Sequence, residues 1–140
     1  IAGLPPWVIA LVAAGGLAPV RFVVSSNGGT DAVRGGLPEA AALPTALVCA
    51  DDLLALAVLR ELAGQAVSVP RHVSVVGCGD EAAARQAHPP LTSMRLPIAQ
   101  LAAAAVDRVL ARLCGVARDP RALVAKLVIR ASTGPAFPRD

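Results

Sequence analysis

Aromatic residues are almost missing from this chain: its 140 residues include one Trp, two Phe and no Tyr. Platforms for single-stranded nucleic acid stack bases on aromatic rings, so that class of surface finds no support. The shortage also means that a core must be filled by Ala, Val and Leu, which suits helices packed closely on a sheet. Lysine is nearly missing too. Lys126 stands alone and the arginines are scattered singly, so the net charge of +3 reads as a solvated surface, not a stripe for a polyanion.

Cysteine is sparse. Cys49, Cys78 and Cys114 are odd in number, far apart and without C-x-x-C spacing, which argues against a disulfide framework or a zinc site. They read as reduced thiols of a cytoplasmic protein. His72 and His88 are lone loop residues with no metal-ligand spacing. Gly28-Gly29 and Gly77-x-Gly79 make neither a dinucleotide fingerprint nor a phosphate loop, so no cofactor is expected. A long apolar run is missing as well. Residues 1–20 carry no charge, but Pro5-Pro6 and Gly15-Gly16 leave only residues 7–14 uninterrupted, far short of the ~20 that a membrane span needs. With no basic segment before it and Ile1 as its first residue, the chain is expected to be a fragment or a processed product.

What is present is a 55% hydrophobic composition, enough to bury a core in one ordinary domain. Apolar strand-like runs alternate with helical stretches. Strands are expected at residues 21–25, 46–50, 73–77, 92–96 and 126–131, and helices at 6–14, 31–43, 53–63, 81–86 and 97–114. That alternation predicts an α/β fold with a parallel sheet flanked by helices and right-handed crossovers. The helix at 53–63, LLALAVLRELA, is apolar on nearly every side, whereas covering one sheet face needs only one stripe. Its outer face is therefore expected to meet another chain. The helix at 98–114 has one apolar stripe, Ile98, Leu101, Ala105, Val109 and Leu113, and needs a partner surface on one side only.

Three carboxylates fall where strands end: Asp51 and Asp52 after one, Asp80 after another. In an open α/β sheet, ligands bind in the crevice outside the carboxyl ends of the strands, so the three can face one pocket. One functional form is a cation site of the receiver-domain kind, which also expects a lysine at a strand's end, whereas Lys126 stands at the start of its strand. A helix N-cap at Asp51 or Asp52 is the purely structural reading. Ser25, Ser26, Thr30, Ser93 and Thr133 offer hydroxyls, but none sits in a G-x-S-x-G context or beside a histidine. No catalytic residue is assigned, and the chain is read as a non-enzyme.

Four segments carry a resemblance: PTALVCADD at 44–52, VPRHVSVVGCGD at 69–80, HPPLTSMRLP at 88–97 and RAST at 130–133. Their order and spacing resemble the effector-binding domain of LacI/GalR-type bacterial transcription regulators, whose consensus runs PTA-x-x-C-x-N-D, VP-x-DVSVVGFDD, PPLTT-x-RQP and R-x-ST. The resemblance implies one lobe of a two-lobed, periplasmic-binding-protein-like (type I) fold. Residues 1–140 would form the C-terminal effector-binding and dimerisation lobe, a fragment without the DNA-binding domain and most of the N-terminal lobe. The helix within 97–115 would cross into that other lobe.

The implied effector contacts are Asp51, Thr30, Gly79, Asp80 and Leu96, and the implied dimer contacts are Leu56, Leu59, Arg60, Ala83, Gln86 and Ala87. Several positions depart from the pattern. Asp51 replaces an asparagine, Gly79 an aspartate and Leu96 a glutamine, while Thr30 stands near an aromatic wall position. Implied partners are a second copy, a small-molecule effector such as a sugar, and operator DNA reached only through the absent N-terminal domain, with no membrane. The alternative is a lobe of a periplasmic sugar-binding protein serving a transporter. A third reading is an isolated enzyme lobe using Asp51, Asp52 and Asp80.

Overall fold

A computed structural model describes residues 21–23, 33, 37, 43–116 and 122–135. The expected helices at 6–14 and, apart from Val33, Leu37 and Leu43, 31–43 lie outside the described residues, as does Thr30. The elements run β1 (Arg21–Val23), β2 (Ala46–Cys49), α1 (Asp52–Gly64), β3 (Ser74–Cys78), α2 (Ala82–Gln86), β4 (Thr92–Arg95), α3 (Ile98–Leu113) and β5 (Lys126–Val128). From β2 to α3 the boundaries fall within a residue or two of the sequence expectation, and β5 is shorter than expected; residues 24 and 25 of the first expected strand lie outside the described residues.

The sheet order is β1-β2-β3-β4-β5. The first four strands are parallel, with Leu47 opposite Val75 and Val76 opposite Thr92. β5 is the exception to the parallel expectation: it runs antiparallel to β4, with Met94 opposite Leu127. The hydrophobic period is the same in both directions, so apolar patterning does not encode strand polarity. The sheet is therefore mixed and mostly parallel.

α1 forms because Asp51 caps it. The Asp51 carboxylate accepts the Leu54 N–H at 2.7 Å, a bond worth about 1 kcal/mol. The helix then carries Leu54, Ala55, Val58, Leu59 and Leu62 onto the sheet as buried residues. It stops where Ala66 takes a left-handed φ of 56°, with the Val67 N–H on Leu62 O at 2.9 Å and the Ala66 N–H on Ala63 O at 3.1 Å. That pair of bonds is the Schellman closure, built here on alanine.

The core lies between α1, α2 and one face of the sheet. Leu47, Cys49, Val75 and Leu91 supply the sheet side, and Val33, Leu43, Val67, Val73 and Ala84 close its edges. Each fully buried Leu or Val contributes roughly 1.5–3 kcal/mol relative to exposure. α3 takes no part: none of its residues is buried. Its apolar stripe, expected to need one partner surface, meets none among the described residues.

Candidate functional site

Because β2, β3 and β4 are parallel, the residues that follow them gather at one edge of the sheet. Asp51 follows β2, Gly79 and Asp80 follow β3, and Leu96 follows β4. This edge is the place where an open α/β sheet receives a ligand. Asp51 stays exposed while capping α1, and Leu96 is 39% exposed. Gly79 has a φ of +129°, a conformation that L side chains rarely adopt. Its glycine therefore turns the chain, where a side chain would otherwise have offered a polar contact.

The carboxylates have separate tasks. Asp52 is buried; its Oδ1 accepts the Ser93 Oγ–H at 2.6 Å and its Oδ2 accepts the Glu81 N–H at 2.8 Å. Ser93 Oγ in turn accepts the Asp80 N–H at 3.0 Å. Asp52 thus ties α1 to β4 and to the start of α2. Asp80 takes Arg95 Nε on Oδ2 at 2.5 Å and Arg130 Nη2 on Oδ1, and its side chain is 1% exposed. The hydrogen bond from Arg130 holds the Asp80 carboxyl below its usual range; burial opposes this, and Arg95 reinforces it. Both Asp52 and Asp80 are thereby occupied by partners within the chain, which removes the three-carboxylate cation site as an open cluster.

The hydroxyls are likewise built into the fold. Ser132 Oγ accepts the Thr92 N–H at 2.7 Å and donates to Val75 O at 2.6 Å, while Thr92 Oγ1 lies 2.8 Å from Thr133 Oγ1. This is the physical task of the RAST segment. Ser93 serves Asp52, and Ser25, Ser26 and Thr30 lie outside the described residues. Nothing in the sequence marks the Asp52–Ser93 or Asp80–Arg130 pairing, since the partners are 41 and 50 residues apart.

A second feature lies on the helical face. Leu56, Leu59, Arg60, Ala83, Gln86 and Ala87, with Ala63 and His88, line one groove of about 300 Å³ between α1 and α2. All six residues of the implied dimer contact converge there, although Leu59 is also buried in the chain's own core. The cysteines differ in exposure: Cys49 is buried, Cys78 half-buried and Cys114 exposed. Burial, then the charges of Asp51 and Asp52, push the Cys49 thiol up to about 12.

A mostly parallel sheet with helices on its packed face, and with Asp51, Gly79 and Leu96 following adjacent parallel strands, is the arrangement of a periplasmic-binding-protein-like lobe. Residues 7–133 match the family of periplasmic binding protein-like domains, and the chain belongs to that family. Among curated proteins, an HTH-type transcriptional regulator in the aml 5′ region of Streptomyces limosus is 36% identical over 116 residues, 81% of this chain and 32% of that protein. Among solved structures, the transcriptional regulator CelR–cellobiose complex superposes with a TM-score of 0.63 at 34% identity, covering 74% of this chain and 32% of that one. A dimeric Lac repressor gives 0.60 at 28% identity, covering 74% and 37%. The chain spans about a third of the length of these relatives. They are transcription regulators, which favours the LacI/GalR reading over the transport lobe and over an enzyme. No helix among the described residues is long and apolar enough to cross a membrane.

Proposed function

We propose that this chain is the small-molecule-sensing and dimerising part of a LacI/GalR-like cytoplasmic transcription regulator, with operator DNA contacted by a segment outside residues 1–140. The observation that carries the reading is the gathering of Asp51, Gly79 and Leu96 at the carboxyl ends of adjacent strands in a chain of this family. The effector is a small molecule such as a sugar, held between this lobe and a second one. Binding shifts closure of the lobes and thereby the spacing of DNA-binding heads. Asp51 is the polar anchor on this side. Asp80 serves the same edge from behind, through Arg95 and Arg130.

One lobe buries only one side of a ligand, so the isolated chain binds sugars weakly, with Kd above roughly 1 mM. Titration with cellobiose in the millimolar range, followed by amide chemical shifts, is expected to perturb Asp51, Gly79 and Leu96, with the effect lost in Asp51→Ala. Shifts confined elsewhere refute the crevice.

The α1–α2 groove is the dimer contact: Leu56, Leu59, Arg60, Ala83, Gln86 and Ala87 meet their counterparts across a two-fold axis. Sedimentation velocity at micromolar concentration is expected to give a dimer for the wild type and a monomer for Leu56→Glu. A monomeric wild type overturns the dimer.

A further inference from the structure

The groove between α1 and α2 carries charge of one sign. Its lining is apolar or neutral except for Arg60, on α1, and His88, just past α2, and no carboxylate among the described residues lines it. Both of these side chains are exposed. The other charged residues of the two helices are placed elsewhere. Asp52 is buried against Ser93 and the Glu81 N–H, and Glu61 accepts Gln65 Nε2 at 3.4 Å. Glu81 and Arg85, at the start of α2 and within it, are exposed and do not line the groove. From the strands that follow α2, Arg95 and Arg130 are both held by Asp80.

A two-fold contact doubles whatever charge one groove carries. With the histidine neutral, the two copies bring two Arg60 side chains to the shared interface. With it protonated, the same small space holds two guanidinium and two imidazolium ions. Like charges set against each other in an interface oppose association, and partly buried charges are screened by salt much less than exposed ones. Imidazole is the side chain that changes its charge between pH 8 and 5. The chain has two histidines, and the other, His72, lies outside the groove, where its Nδ1 accepts the Ser68 N–H at 3.1 Å.

We propose that His88, set beside Arg60 in the α1–α2 groove, makes self-association of this chain acid-labile: two copies hold together at neutral pH and separate as the imidazole takes up a proton. This response rests on the groove being the dimer contact and adds the condition under which that contact opens. Linkage gives the sign. Paired copies take up fewer protons than separate ones, so acid favours separation. A regulator that needs two copies to hold its DNA-binding heads together would thus release its operator as its surroundings acidify.

Sedimentation equilibrium of the full chain at pH 7.5 and 5.5, at one ionic strength, measures the dimer dissociation constant at each pH, with circular dichroism showing that the fold is kept. In the wild type the constant is expected to rise about tenfold or more on acidification. It should change little in His88→Gln and keep the wild-type ratio in His72→Gln. Equal affinity at both pH values overturns the proposal, as does a response that persists in His88→Gln. Tighter association in acid also overturns it, because a carboxylate of the second copy would then be meeting the histidine. If His88→Gln fails to fold, Arg60→Gln decides: a clearly smaller ratio than the wild type supports the response, and an unchanged ratio refutes it. A wild type that is monomeric at both pH values refutes the dimer contact and the acid response together, whereas a dimer insensitive to pH refutes the acid response alone.

Discussion

A Cβ atom on residue 77 would lie 2.3 Å from Oδ1 of Asp52, inside any permitted contact, so Gly77 and the buried carboxylate share one space. Leu91 Cδ2, at 2.9 Å from the same point, closes the other side. The glycine in the middle of this strand is there so that the α1 carboxylate can approach the sheet and take Ser93 as its partner.

Gly77→Ala is therefore expected to destabilise the chain by roughly 1–3 kcal/mol from overpacking, with disruption of the Asp52 bonds adding to it. The cost should not be additive with Asp52→Ala, because residues in contact share the strain. Denaturant unfolding of the two single variants and the double variant checks this. A double variant that loses the sum of both would show that residue 77 clashes with something other than Asp52.

Most of the architecture was legible in the sequence because apolar runs and their polar stops have a period. Strands 46–50, 73–77 and 92–96 and the helices at 53–63 and 97–114 appear within a residue or two of those positions. The direction of β5 was not legible, since a three-residue strand reads alike either way. At the site, local signals alone placed the Asp51-Asp52 pair at the strand end and left open which of the two caps the helix; the bond to the Leu54 N–H gives the cap to Asp51. Asp52 and Asp80 looked like its equals, and their separate tasks appear only when β4 brings Ser93 and Arg95 beside them. The groove residues were legible only through the family resemblance, as helical spacing by itself says which residues share a face but not what covers it.

The Asp80 ion pairs give a pH dependence whose sign follows from the carboxyl's lowered pKa. A carboxylate that binds protons less readily when folded adds stability that is present above its unfolded pKa, near 3.9. That stability is lost as pH falls through the lower folded value. The stability difference between wild type and Asp80→Asn is thus expected to be constant from pH 7 to about 5 and to shrink as acid is added below about 4. Urea titrations at stepped pH measure it. A difference that grows towards low pH contradicts the pairing.

Thiol reactivity should separate the cysteines by depth. Cys49 is 2% exposed and its thiol is pushed up to about 12, first by burial and then by Asp51 and Asp52. The thiolate is the reactive species, so at pH 8 Cys49 offers almost none and no access either. A disulfide reagent is expected to modify exposed Cys114 in the native chain and Cys49 only after denaturation. Equal rates at both positions would show that α1 does not seal the sheet over Cys49.

The apolar side chains of α3 should contribute to surface hydrophobicity and not to stability. Leu101 is 54% exposed, Val109 58% and Leu113 79%, whereas Leu62 on α1 is fully buried. Leu62→Ala removes packed atoms and leaves a cavity, with an expected cost of about 2–5 kcal/mol. Lysine at 101, 109 or 113 removes no packed contact, and lysine is a good helix former, so each substitution is expected to shift stability by no more than about 0.5 kcal/mol. Binding of a hydrophobic dye should fall as the three lysines are combined, because the exposed patch they break up is of the kind that such dyes and partner surfaces recognise. The two readings move independently if α3 stands free of the core. Loss of more than about 2 kcal/mol in Leu113→Lys would instead mean that the helix is packed in solution.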